Sequence, residues 1–273
     1  MSEALSHPAG LGNQRHTRHA RFVPIDLGTW PRRQYFDYYF NKIKCRYSIT
    51  AQVDITGLMQ AREGRRFFPC LLYLLMAAVN GEPTPAESCS DTPAAKDEHS
   101  RSSVQMPLPL PEGSWPGKDV SRTFRLSMDA EGNLGWWTFC NPVYTLFHQS
   151  DCSFSDVWSE WTADFSTFYS RVLEDMARYG GVTGVMARPD KPDNFCSISS
   201  LPWLSFTSFA QDTYAESRMF FPLLRAGKHY EQSGRTLLPL SVCVHHAVAD
   251  GYHTSWLFCR VQHFANVAKL WLR

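Results

Sequence analysis

The chain lacks an excess of either charge, an apolar run long enough for a membrane, and any closely paired cysteines. Lys and Arg number 27 against 26 Asp and Glu, a formal net charge of +1. Such a balance offers no basic face for a nucleic acid and no reason to expect a membrane partner. The longest apolar run, Phe67 to Val79, contains Pro69 and falls short of the roughly 20 residues a membrane-crossing helix needs. The opening Met1-Ser-Glu-Ala4 has no apolar signal core. No CxxC occurs, and neither does a His-Glu-x-x-His pair, so the common zinc-site spacings are missing. The eight cysteines are irregularly spaced, and Cys70, Cys243 and Cys259 stand in apolar segments. They read as free buried thiols in a reducing compartment, which implies a cytoplasmic protein.

What is present suits a sizeable core: 273 residues, 44% hydrophobic and 14% aromatic. Residues 1–21 are rich in small and polar residues without periodicity and are expected to be a disordered tail. Residues 22–273 are expected to form one domain. Trp30-Pro31 starts a helix carrying Arg32 to about Asn41. Tyr47 to Val53 alternates as a strand. Phe67 to Asn80 is a helix apolar on nearly all sides, stopped by Gly81. Residues 82–122 hold seven prolines, among them Pro83, Pro107 and Pro116, and no period. This stretch reads as a disordered insertion within the domain. Phe124 to Met128 and Leu134 to Phe139 form a strand pair, and Tyr144 to Phe147 another strand. Ser155 is expected to cap a helix with Val157, Trp161, Phe165, Phe168, Val172 and Met176 on one face, ended by Gly180-Gly181. Phe195 to Ser200 and Leu237 to Val244 are further strands. The closing helix presents Leu257, Val261, Phe264 and Ala268. Interspersed strands and helices make the class α/β, a mixed β-sheet flanked by helices.

The last of these strands ends in His245-His246, and a turn with Asp250-Gly251 then leads into the closing helix. A histidine at a strand end is held in one orientation yet can reach a ligand, and its pKa near neutrality suits a general base. Taken singly, the residues read more plainly. His245 is a satisfied core residue, and Asp250-Gly251 is a turn and a helix cap. A metal site of His246, Asp250 and His253 is the rival reading, without support from any known ligand spacing.

The nonapeptide His245-His-Ala-Val-Ala-Asp-Gly-Tyr-His253 resembles the signature of the chloramphenicol acetyltransferases. Its core spacing also fits dihydrolipoyl acyltransferases and peptide-synthetase condensation domains. Further blocks favour the first family: Trp30-Pro-Arg-Arg-Gln-Tyr-Phe-Asp-Tyr-Tyr-Phe40 with Cys45-Arg-Tyr-Ser-Ile-Thr50, Tyr144-Thr-Leu-Phe-His-Gln149 with Phe154-Ser155, and Ser197-Ile-Ser-Ser-Leu-Pro-Trp-Leu-Ser-Phe206, in the family's order.

The resemblance implies the CoA-dependent acyltransferase fold and a homotrimer with active sites between subunits. It implies acetyl-CoA as co-substrate, no metal, and acetyl transfer to a hydroxyl of chloramphenicol. His246 would be the base acting directly on the acceptor, and Ser199 the oxyanion donor, with Ser200 as the rival if the register slips. Asp250 would form a buried, bidentate pair with Arg32 that fixes the histidine loop. Tyr39, Cys45, Tyr47, Phe154 and Phe209 match acceptor-pocket positions, and Trp203 and Lys228 match CoA positions. Three departures stand out: Ala249 replaces a Cys, Arg225 a Thr near the reacting centre, and His229 a Tyr near CoA. They leave open another small alcohol or amine as acceptor, and a non-catalytic trimeric binding protein of the same fold.

Overall fold

The computed structural model describes residues 19–82, 120–211 and 218–273. The expected tail therefore lies outside the described residues except from His19 onward, and so does the insertion from 83 to 119. In chain order the elements begin with β1 (Phe22–Pro24), α1 (Arg33–Asp37), a π-helical turn (Tyr38–Ile43) and β2 (Arg46–Asp54). Next come α2 (Thr56–Ala61), α3 (Phe67–Asn80), a 3-10 helix (Val120–Arg125), β3 (Leu126–Met128) and β4 (Leu134–Trp137). They are followed by β5 (Asn141–His148), β6 (Ser153–Trp158), α4 (Phe165–Tyr179), β7 (Phe195–Ser200) and β8 (Leu223–Ala226). The chain closes with β9 (Tyr230–Gln232), β10 (Arg235–His245), α5 (Gly251–Asn266) and α6 (Ala268–Trp271).

β1, β4 and β3 make a small antiparallel sheet. The main sheet runs β2-β10-β8-β7-β5-β6, with β9 paired to β10. It is mixed: β7 is parallel to β5 and β8, and the other pairs are antiparallel. Side chains alternate across it. Leu238, Leu240, Val242 and Val244 of β10, Leu224 of β8, Ile198 of β7 and Tyr144 of β5 are buried toward the helices. The opposite face carries a polar row through Thr50, Ser241, Arg225 and Ser199. α3 lies in the core, buried at every residue from Pro69 to Asn80. Pro69 is tolerated in its first turn, and Gly81 ends it at φ 69°.

Several expectations are corrected. Ser155 caps no helix: it lies in β6, paired with Leu146 of β5, its hydroxyl donating to Val182 O at 3.0 Å. The cap of α4 is Asp164, whose carboxylate accepts from Thr167 N at 2.8 Å. Val157 and Trp161 keep a four-residue spacing with Phe165 by coincidence of strand and connection. Pairing with β5 overrides the helical period. The expected helix from Arg32 to Asn41 is only one short α-helical segment, continued by the π-helical turn. Phe124 and Arg125, expected in a strand, and Val120 to Arg122, expected in the insertion, belong to the buried 3-10 helix. The closing helix stops at Asn266, so Ala268 falls in α6, though its side chain is buried as expected. Among the described residues no helix is long and apolar enough to cross a membrane.

Candidate active site

His246 follows β10 directly. Its backbone N–H donates to Cys45 O at 3.0 Å, so the chain before β2 holds the turn. Its ring lies flat on Tyr39, with centroids 3.8 Å apart and planes within 6°. Tyr47 meets it edge-on at 5.1 Å. The buried Nδ1 has no hydrogen-bond partner among the described residues. His245 is the core residue expected: it is fully buried, Nδ1 accepts from Ala247 N at 3.1 Å, and the ring packs on Phe40 and Phe220.

Asp250 organises the turn after His246. Its Oδ2 accepts from Arg32 Nη1 at 2.8 Å. Its Oδ1 accepts from Tyr252 N at 3.0 Å and from His253 Nδ1 at 2.7 Å, capping α5. The Arg32 contact is therefore single, not bidentate, because the second oxygen is committed to the helix start. Arg32 Nε is left buried without a partner among the described residues. Burial works to raise the Asp250 pKa, but the His253 hydrogen bond and charge and the Arg32 guanidinium override it. The carboxylate stays well below its usual range. Burial pulls the His253 pKa below that of an ordinary histidine, against the pull of Asp250. At neutral pH a neutral His253 thus donates its Nδ1–H to an ionised Asp250.

A second chain of hydrogen bonds reaches the same loop. Thr254 Oγ1 donates to Asp250 O at 3.0 Å and lies 2.7 Å from Tyr47 OH, which becomes the donor. Burial pushes the Tyr47 phenol up to about 12, so it keeps its proton. Burial also raises the Cys45 thiol. Thr254 and His253 are site residues that the motif did not single out for this role. Asp250 itself is a favoured N-cap residue, and that part of the signal was available in the sequence.

The structure does not bring all the candidates together. Arg32, Tyr39, Cys45, Tyr47, His246 and Asp250 form one group. Ser199, Trp203, Lys228, Phe154 and Phe209 form another. Leu201 N donates to Ala226 O at 2.8 Å and Lys228 N to Leu204 O at 2.9 Å, which sets Trp203 and Lys228 close beyond Ser199. Trp203 meets Phe147 edge-on at 4.9 Å, and Phe147 pairs with Phe154 across β5 and β6. Phe209 lies over the sheet: its N–H donates to Thr50 Oγ1 at 3.1 Å, and its carbonyl accepts from Ser241 Oγ at 2.6 Å. His229, instead, packs its ring on Phe67 at 5.2 Å. The sheet register measures the gap between the groups. Ser199 aligns with Arg225, and Arg225 with Ser241. His246 comes five positions after Ser241, so within one chain Ser199 and His246 stand on the order of 20 Å apart.

The model of the chloramphenicol acetyltransferase family matches residues 20–90 and 119–262. A chloramphenicol acetyltransferase of Clostridium butyricum is 33% identical over 253 residues, covering 92% of this chain and 98% of that protein. One from Campylobacter coli is 30% identical, covering 90% and 99%. Among solved structures, a chloramphenicol acetyltransferase superposes with a TM-score of 0.65 at 21% identity, over 90% of this chain and all of that one. A dihydrolipoamide acetyltransferase of Azotobacter vinelandii gives 0.54 at 14% identity, over 99% and 100%, a likeness of fold alone. The mixed sheet is thus that of the CoA-dependent acyltransferases. Similarity on this scale, sustained along nearly the whole chain, shows that it belongs to the chloramphenicol acetyltransferase family.

Proposed function

We propose that the protein acetylates a hydroxyl of chloramphenicol with acetyl-CoA, and that His246 is the general base. The carrying observation is the clamped imidazole, stacked on Tyr39 and held by a loop tied to Arg32 through Asp250. The acceptor oxygen attacks the thioester carbonyl as His246 takes its proton. The tetrahedral oxyanion accepts a hydrogen bond from Ser199. The carbon–sulfur bond then breaks, and the thiolate leaves as CoA thiol with the proton returned by the imidazolium. Trp203 offers an exposed ring and Lys228 a charge for CoA.

The separation of Ser199 from His246 within one chain supports a site shared between copies, as in a homotrimer. So does the exposed apolar surface beside Ser199: Phe154 is 57% exposed, Trp203 67% and Leu204 58%. A non-catalytic reading has no observation of its own.

CoA thiol release from acetyl-CoA, with and without chloramphenicol, tests the proposal in wild type and His246→Ala. Chloramphenicol-dependent release should fall by about 10²–10⁴-fold in the variant. Equal rates in the two proteins would refute it. Wild-type release seen only with other hydroxyl or amine acceptors would keep the mechanism and change the substrate.

A further inference from the structure

Arg225 is a half-buried cation whose hydrogen bonds among the described residues all go to neutral groups. Its Nε donates to Gln211 Oε1 at 3.1 Å. Its Nη1 donates to Leu224 O at 2.9 Å, to Ser197 O at 3.2 Å and to Ser197 Oγ at 3.4 Å. Nη2 donates to none of the described residues. Asp156, three strands away on β6, shares this sheet face and attracts the guanidinium across it without contacting it. Taking a guanidinium out of water costs several kcal/mol unless an opposite charge compensates. Here the neutral oxygens orient the group, and Asp156 offsets its charge only from a distance.

Its place makes the vacant N–H groups useful. Arg225 aligns with Ser199 on one side and Ser241 on the other, on the polar face of the sheet. Gln211 ties the guanidinium to the segment carrying Phe209, whose backbone is pinned to Thr50 and Ser241. The cation thus lies between the candidate oxyanion donor and the candidate acceptor wall.

We propose that Arg225 is a specificity-determining residue that receives an anionic group of the acceptor, so that the site favours an alcohol bearing a carboxylate over a neutral one. The proposal rests on the acceptor site assigned above. Nη2 supplies charge-assisted donors to the carboxylate. The acceptor's hydroxyl reacts as before: an oxygen–carbon bond forms, the carbon–sulfur bond breaks, and the proton passes through His246 to the thiol.

The test uses two matched acceptors, chloramphenicol and its analogue with the nitro group replaced by a carboxylate. Thiol release is measured for wild type, Arg225→Gln and Arg225→Lys, and binding of the carboxylate analogue is followed by calorimetry. Wild type should show the higher kcat/KM with the carboxylate analogue, and added salt should erode the preference. Arg225→Gln should lose about ten- to hundredfold more on that analogue than on chloramphenicol. Arg225→Lys should recover part of the loss. No wild-type preference, or equal losses on both acceptors, would overturn the proposal. If wild type turns over neither acceptor, the functional reading fails and calorimetry alone decides. Binding weakened by Arg225→Gln then supports the anion site, whereas binding unchanged or absent in wild type overturns it.

Discussion

Asp250 joins two distant parts of the molecule with one carboxylate: the start of α5, through Tyr252 and His253, and Arg32. Replacing it with Ala removes a helix cap and a partly exposed ion pair. Asp250→Ala should therefore lose about 1–2 kcal/mol of stability in denaturant titrations, and its kcat should fall because the His246 loop loses its tie. The pH response belongs to His253. Its folded pKa is depressed, mainly by burial, below the ordinary histidine value of 6.5. As pH falls through 6.5 the unfolded chain binds the proton first, so stability declines. Asp250 acts lower: its depressed pKa gives stability that is present above the ordinary carboxyl value of 3.8 and lost as pH falls further. As pH falls below 6.5, then, the thermal midpoint of His253→Gln should fall less steeply than that of wild type. At this scale the motif was legible, since His246, Asp250 and Arg32 do gather. The single rather than forked Arg32 contact was not, because it depends on which oxygen the helix start claims.

Among the elements, the π-helical turn Tyr38–Ile43 carries Tyr39, the residue stacked on His246. Its wider winding has no signature in Tyr-Tyr-Phe-Asn-Lys-Ile, which reads as ordinary helix. The strands β7 and β10 were legible from their apolar or alternating runs between turn residues. β6 was misread because its inward residues share a helical spacing with those of α4. The link from β8 to Lys228 is narrow: a Cβ on Gly227 would lie 2.9 Å from the Phe206 ring and 3.1 Å from Leu204 O. Gly227→Ala must push the segment carrying Trp203 outward. It should raise the KM for acetyl-CoA more than it lowers kcat, as steady-state kinetics would show.

At the scale of the whole molecule, the on-the-order-of-20 Å gap between Ser199 and His246 makes the assembly testable. His246→Ala and Ser199→Ala should each be nearly inactive alone. Unfolded together and refolded as a mixture, they should regain activity, up to about a quarter of wild type if copies assort at random in a ring. Activity that stays at the level of the single variants would show that each chain carries its own complete site.

The sequence by itself determined the family and the α/β class, and it singled out His246 as the base proposed here, because those readings depend on local pattern: a strand ending in His246, a cap at Asp250, an apolar α3. Only the tertiary structure decided what depends on strands distant in sequence. Register placed Ser199 beside Arg225 and away from His246. Pairing with β5 made Ser155 a strand residue. Pleating left Arg225 on the polar face with no carboxylate in contact with it among the described residues. Hydrogen-bond register between remote segments sets these positions, and no spacing within a single segment encodes it.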